Sequence, residues 1–182
     1  MTKRRRHTAC HEASHAVIGR VLTLYCAGAT IKPDYVAREA GHAICHDPSV
    51  CLHQWDIRGK VRDNADAVWH ARIITYMAGV EGEMALLGST NGGDSDDRYQ
   101  IKMMAGKLSN CGDWNKLEAR LRTRMLVRRH LALIEGVANT LLRKTTLSGV
   151  QLDKLIGRSV DDVKVNAPWL LEIHRQASRR RN

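Results

Sequence analysis

The run His11-Glu12-Ala13-Ser14-His15 sets two imidazoles four positions apart with a carboxylate directly after the first. On a helix, residues four apart lie one above the other, so both rings can reach one metal ion. Zn²⁺ accepts histidine nitrogens at about 2.0–2.1 Å and, in catalytic sites, keeps a coordination position open for water. Glu12 is turned from His11 by about 100° around the helix. That places its carboxylate beside the metal, where it can take a proton from the water. The line His11, His15, Ile18, Leu22, Tyr25 continues into an apolar stripe, which predicts that both histidines face the interior. Two buried histidines flanking a glutamate are costly unless something ligates or pairs them.

A further ligand is needed. On chemistry alone the candidates are Glu81, Glu83 and His70, together with the acidic cluster Asp94, Asp96 and Asp97. Aspartates in a first helical turn also complement the macrodipole and cap free N–H groups, so spacing leaves the choice open. His42, Cys45, His46, Cys51 and His53 form a second group of ligand-type residues. Their spacing fits no standard zinc module. They read as strand and loop, with His42 and Ile44 on one strand face and Ala43 and Cys45 on the other.

These groups need elements to hold them. A first helix is predicted from Thr8, as N-cap, to Tyr25. Strands are predicted over Ala29–Pro33 and Gly41–Cys45, with a turn at Asp47-Pro48-Ser49 inside a loop from His46 to Asp63. A long helix over Ala65–Leu87 should stop at Gly88. The glycine-rich turn Asn91–Asp97 should feed another helix that ends near Cys111-Gly112. Asp113 is placed to cap a long helix running through Lys144. A short helix should open at Leu147-Ser148-Gly149 and reach Ile156. Pro168 falls at the first turn of a last amphipathic helix that frays into Arg179–Arg181. The expected fold class is mainly α (α+β): a helical domain with a small β-sheet packed near the helix of the two histidines. The expected organisation is a basic tail over 1–7, one domain over 8–157 and a basic extension over 158–182.

Composition agrees with one globular domain. Of 182 residues, 43% are apolar and 26% charged, which excludes a disordered chain. Aromatics are 4% and phenylalanine is absent, so the core must come from Leu, Ile, Val, Met and Ala, which favours helices. No apolar run approaches a bilayer span, and charged residues interrupt any secretory h-region. Five cysteines without a CxxC spacing read as free thiols in a reducing compartment, so a cytoplasmic, non-membrane protein is expected. The net charge of +10 is concentrated in Lys3–Arg6, Arg120–Arg129 and Arg179–Arg181. Such runs can attract nucleic acid or acidic protein, but no aromatics interleave them as stacking platforms, which argues against nucleic acid.

The residues also resemble a family. Thr8-Ala9-Cys10-His11-Glu12-Ala13-Ser14-His15-Ala16-Val17 is similar to the "HEAGHA" zinc helix of the FtsH family of ATP-dependent zinc metalloproteases. Ala29-Thr30-Ile31-Lys32-Pro33 resembles the strand after that helix. Met77-Ala78-Gly79 through Glu83 to Gly88 resembles "GGRAAEELIFG", and Gly93–Gln100 resembles "GASNDLEQ". Ile134-Glu135 through Leu141-Leu142 to Thr146-Leu147-Ser148-Gly149 resembles the closing helix and "TLSG" turn. The resemblance runs in order from Thr8 to Ile156.

It implies that His11 and His15 bind Zn²⁺, that Glu12 is the catalytic glutamate, and that Asp97, at the Asp of "SND", is the third ligand. Asp96 stands where the family often has Asn, and a slip of one residue would exchange the two. Glu83 matches a family glutamate that supports the site without ligating. Family members carry transmembrane segments and an AAA+ ATPase, and this sequence holds no G-x-x-x-x-G-K-[ST]. The expectation is a zinc metalloendopeptidase that is ATP-independent on its own and cuts peptides or unfolded proteins. An ATPase partner in trans and a homo-oligomer are consistent with it. In the family the strand matching Gly41–Cys45 lies beside the zinc, and its edge could pair with an extended peptide. Two alternatives stand beside this reading. One is a non-catalytic zinc-containing binding or regulatory module engaging nucleic acid or an acidic partner. The other is a zinc hydrolase of non-peptide amides.

Overall fold

The computed structural model describes residues 2–22, 24, 26–36, 40–45, 65–108 and 115–156. Within them the chain forms helices α1 (Lys3–Val21), α2 (Ala65–Leu87), α3 (Ser95–Ala105), α4 (Lys116–Arg129), α5 (Leu131–Lys144) and α6 (Gly149–Ile156). Strands β1 (Cys26–Thr30), β2 (His42–Cys45) and β3 (Thr146–Ser148) make an antiparallel sheet in the order β2-β1-β3. The class is the expected one, mainly helical with a small sheet beside α1. No helix among the described residues is long and apolar enough to cross a membrane.

Helix α1 is the centre of the fold. It packs against α2, α5 and both β1 and β2, so from His7 to Val21 it is buried on nearly every side rather than along one stripe. Ala9, Ala13, Ala16, Val17 and Ile18 are wholly inaccessible. Small residues let the surrounding elements come close, and their dense packing replaces the aromatic bulk the sequence lacks. The helix begins at Lys3, with the Thr2 hydroxyl accepting from the Arg5 N–H at 3.4 Å, not at Thr8. Residues 3–7, expected as a tail, are thus its first turns. A run of basic residues there opposes the macrodipole, but tertiary contacts hold it. The Arg5 guanidinium reaches the Leu142 carbonyl at 3.3 Å, and His7 is buried against Glu83.

Other elements differ from expectation for identifiable reasons. The single helix expected through Lys144 is two, joined at His130, which ends α4 and opens α5. α4 lies on α2 whereas α5 lies on α1, and one straight helix of about 48 Å over 113–144 could not serve both. Asn115 provides the N-cap of α4, accepting from the Leu117 and Glu118 N–H groups. α3 ends at Ala105, before the expected stop. β1 covers Cys26–Thr30 instead of Ala29–Pro33, because it pairs on both sides: Ala29 faces Ala43 of β2 and Leu147 of β3. β3 itself was expected only as a helix-opening turn. It follows Thr145, whose φ of 62° reverses the chain after α5. Gly88 does close α2, at φ +69°, a conformation that glycine adopts without steric cost. Tyr25, the loop 46–63 with His46, Cys51 and His53, Cys111-Gly112, Asp113 and the extension 158–182 lie outside the described residues.

Candidate metal centre

α1 and α2 bring the chemistry together. The Nε2 atoms of His11 and His15 both point at Asp97 Oδ2, at 2.9 and 3.3 Å. The ligand atoms of His11, His15 and Asp97 lie within 4.8 Å of one another. The two rings meet edge to face with centroids 4.6 Å apart. Asp97 sits in the first turn of α3, which the turn 88–94 swings back over α1. Nearly tetrahedral coordination at about 2.0–2.1 Å would place donor atoms roughly 3.3 Å apart. The two separations from Asp97 Oδ2 are close to that value, and two imidazole nitrogens with one carboxylate oxygen are usual donors to zinc.

The far side of each ring is held too. His11 Nδ1 is 2.7 Å from Glu83 Oε1, and His15 Nδ1 is 2.7 Å from the Thr75 carbonyl. Both partners are acceptors, so each Nδ1 carries the proton and each Nε2 is directed to the metal position. Glu83 is 1% exposed, and its other oxygen accepts from His7 Nδ1 at 2.7 Å and from the Asn91 N–H at 3.0 Å. One buried carboxylate thus locks two histidines and the start of the loop that carries Asp97. Glu83 supports the centre and does not join it.

Glycines give α2 its clearance. A Cβ on Gly79 would stand 2.6 Å from His11 Cε1 and Nε2 and 2.7 Å from His15 Nε2. A Cβ on Gly82 would collide with the Ser14 hydroxyl. Tyr76, one turn before Gly79, closes the neighbouring wall. Its ring lies 6.4 Å from that of His15, and its hydroxyl accepts from the Arg72 guanidinium at 2.8 Å.

Glu12 is 7% exposed beside the two histidines. Burial pushes its carboxyl up, against the fields of His15, His11 and His42, which lower it. Burial also works against charge on His11, but its hydrogen bonds to the Asp97 and Glu83 carboxylates outweigh it and push the ring up to about 10. His15 is raised in the same way, mainly by Asp97 against burial. The reciprocal effect of the histidines holds the Asp97 carboxyl well below the usual carboxylate range despite its burial.

The other candidates stand apart from this cluster. Glu81 is buried under Arg120 and Arg124, at 2.5 and 2.7 Å. Asp94 pairs with Arg98 at 3.1 Å, and Asp96, the reserve for Asp97, is exposed. His70 is half-buried on α2 and outside the cluster. Cys45 turns into the core against the His15 carbonyl, while His46, Cys51 and His53 of the second group lie outside the described residues. Sequence reasoning missed His7, although it sits four residues before His11 on the same line. It also missed the role of Gly79 and Gly82, although their spacing of three marks one face of α2. No family model and no curated protein matches this chain.

Proposed function

We propose that the chain is a zinc-dependent metallopeptidase of the FtsH-like type, hydrolysing peptide bonds in peptides or unfolded proteins. The observation that carries the proposal is the convergence of His11 Nε2, His15 Nε2 and Asp97 Oδ2, with buried Glu12 beside them. A site built only to stabilise the fold has no use for that extra carboxylate, whose burial costs free energy. When bound, zinc would polarise the scissile carbonyl and acidify a water molecule. The chain supplies the rest. Glu12 takes the proton of the attacking water and returns it to the leaving amine. Glu83 and the Thr75 carbonyl fix ring orientation, so the donors need little rearrangement. β2 is the edge strand on this side of the sheet among the described residues, and an extended substrate could add to it.

The alternative of a binding module rested on the basic ends: Lys3–Arg6 forms the first turns of α1, where Arg5 donates to the Leu142 carbonyl, and Arg179–Arg181 lies outside the described residues. Three arginines of the central run are engaged within the fold: Arg120 and Arg124 with Glu81, and Arg122 with Glu118. The test is elemental analysis of the purified protein followed by hydrolysis of unfolded casein with and without a chelator. Glu12→Gln should keep zinc and lose turnover by about 10²-fold or more, whereas His15→Ala should lose both. Full activity in Glu12→Gln ends the mechanism. Salt-dependent DNA binding with no hydrolysis under any condition favours the binding module.

A further inference from the structure

A cavity of about 860 Å³ opens beside the first turns of α1, within the size range of sites that hold small ligands or peptide side chains. Its wall carries Arg4, Arg5 and Thr8 of α1 and Lys32 and Ala40 of the β1–β2 connection. Asp34 is the single carboxylate among the described residues of its wall, and one of its oxygens accepts the Val36 N–H at 2.9 Å. The Arg5 guanidinium donates to the Leu142 carbonyl. Among the described residues, no ion pair neutralises Arg4, Arg5 or Lys32. Among the described residues, three cations against one carboxylate make this wall electropositive.

Its placement connects it to the metal centre. Arg4, Thr8 and Glu12 are four apart and share one face of α1. β2 runs alongside that helix in the same direction. Gly41, just before it, approaches Thr8 so closely that an added Cβ would lie 2.8 Å from Thr8 Cγ2, and Cys45 at its end meets the His15 carbonyl. A peptide laid along the outer edge of β2 past Glu12 would therefore arrive at this cavity. Arg4 lies eight residues from Glu12, about 12 Å along the helix. An extended chain advances about 3.3–3.6 Å per residue, so the distance is three or four substrate residues.

We propose that this cavity is a subsite for a carboxylate of the substrate, three or four residues from the bond that is cut. The proposal rests on the peptidase reading and narrows it to acidic peptides. The carboxylate could belong to an internal Asp or Glu or to the substrate's C-terminus.

The test uses the full chain carrying Glu12→Gln, zinc-loaded, so that binding is read without turnover. The probes are fluorescein-labelled decapeptides identical except for Glu, Gln or Lys at one position, each with a free or an amidated C-terminus. Anisotropy should show the Glu peptide binding about fivefold tighter than the Gln peptide at low salt, from the usual worth of exposed ion pairs. The Lys peptide should bind weakest, and added salt should narrow the gap. A Glu-over-Gln preference marks the side chain as the ligand; equal binding of the Glu and Gln peptides that amidation weakens about fivefold marks the C-terminal carboxylate.

Arg4→Glu and, separately, Lys32→Glu should abolish or invert the preference while zinc content and circular dichroism stay unchanged. A negative charge near the start of α1 favours the helix, so Arg4→Glu should fold. Binding that ignores peptide charge, or a preference unmoved by both variants, overturns the proposal. The two readings fail separately. Wild-type protein that cuts peptides irrespective of charge sinks the subsite and keeps the peptidase. Protein that never cuts, yet binds acidic peptides through Arg4 and Lys32, sinks the peptidase and keeps the carboxylate site.

Discussion

Gly79→Ala is the sharpest probe of the metal centre because it adds one methyl group at a measured place. The new carbon would stand 2.6 Å from two atoms of the His11 ring and 2.7 Å from His15 Nε2. Ordinary contacts between carbon atoms are about 3.5–4.0 Å, so both rings must retreat by about 1 Å or α1 and α2 must part. Metal–ligand distances tolerate only about 0.2 Å. The centre should therefore lose affinity by about 100-fold or more, at or beyond the upper end of what disturbing a ligand's supporting group costs. The fold should fare better. Overpacking costs about 1–3 kcal/mol, and replacing a helical glycine with alanine returns about 1 kcal/mol. The net loss of at most about 2 kcal/mol corresponds to a few degrees in Tm. The assay is competition for zinc against a chromophoric chelator, alongside thermal melts of the metal-free proteins. Gly136→Ala is the control: it is helical, and beyond its own stretch of helix nothing lies within 4 Å of the added carbon. It should raise stability by about 1 kcal/mol and leave zinc affinity alone. Wild-type zinc affinity in Gly79→Ala would refute the assignment of both Nε2 atoms to one ion.

Glu83→Gln should lower zinc affinity by about 10–100-fold, since Glu83 orients His11 without touching the ion position. Glu83→Ala should also cost about 3–5 kcal/mol in chemical denaturation, because two buried histidines and the Asn91 N–H lose their acceptor; stability equal to wild type would deny the bridge. The metal-free centre should also report pH. His11 is pushed up to about 10, above its ordinary value of about 6.5. Its contribution to metal-free stability is therefore fully present below about pH 6.5 and is lost as pH rises through about 10. Zinc must displace that proton and the one on His15, which is raised in the same way, so zinc affinity should rise at least about tenfold per pH unit across the same window. Melts of chelated protein and zinc titrations from pH 6 to 10 should move in opposite directions, and a pH-independent zinc affinity would contradict this.

The pair of histidines, the carboxylate between them and the mainly helical class were legible in the chain itself. Spacing four on a helix is a local property, set by 3.6 residues per turn, and Gly88 ends α2 for an equally local reason. Composition pointed to helices because small and aliphatic residues predominate. The choice of Asp97 over Asp96, Asp94, Glu81 and His70 is different. Resemblance could point to it, but only the return of α3 over α1 places Asp97 Oδ2 against both rings. Long-range closeness also decided what local signals contradicted. His7 joins a helix whose basic start opposes the macrodipole, because Glu83 waits on α2. β3 exists because β1 is there to pair with it. The bend at His130 lets α4 and α5 meet different partners. Helical periodicity is written in neighbouring residues, whereas which faces meet depends on the free energy of packing the whole chain at once.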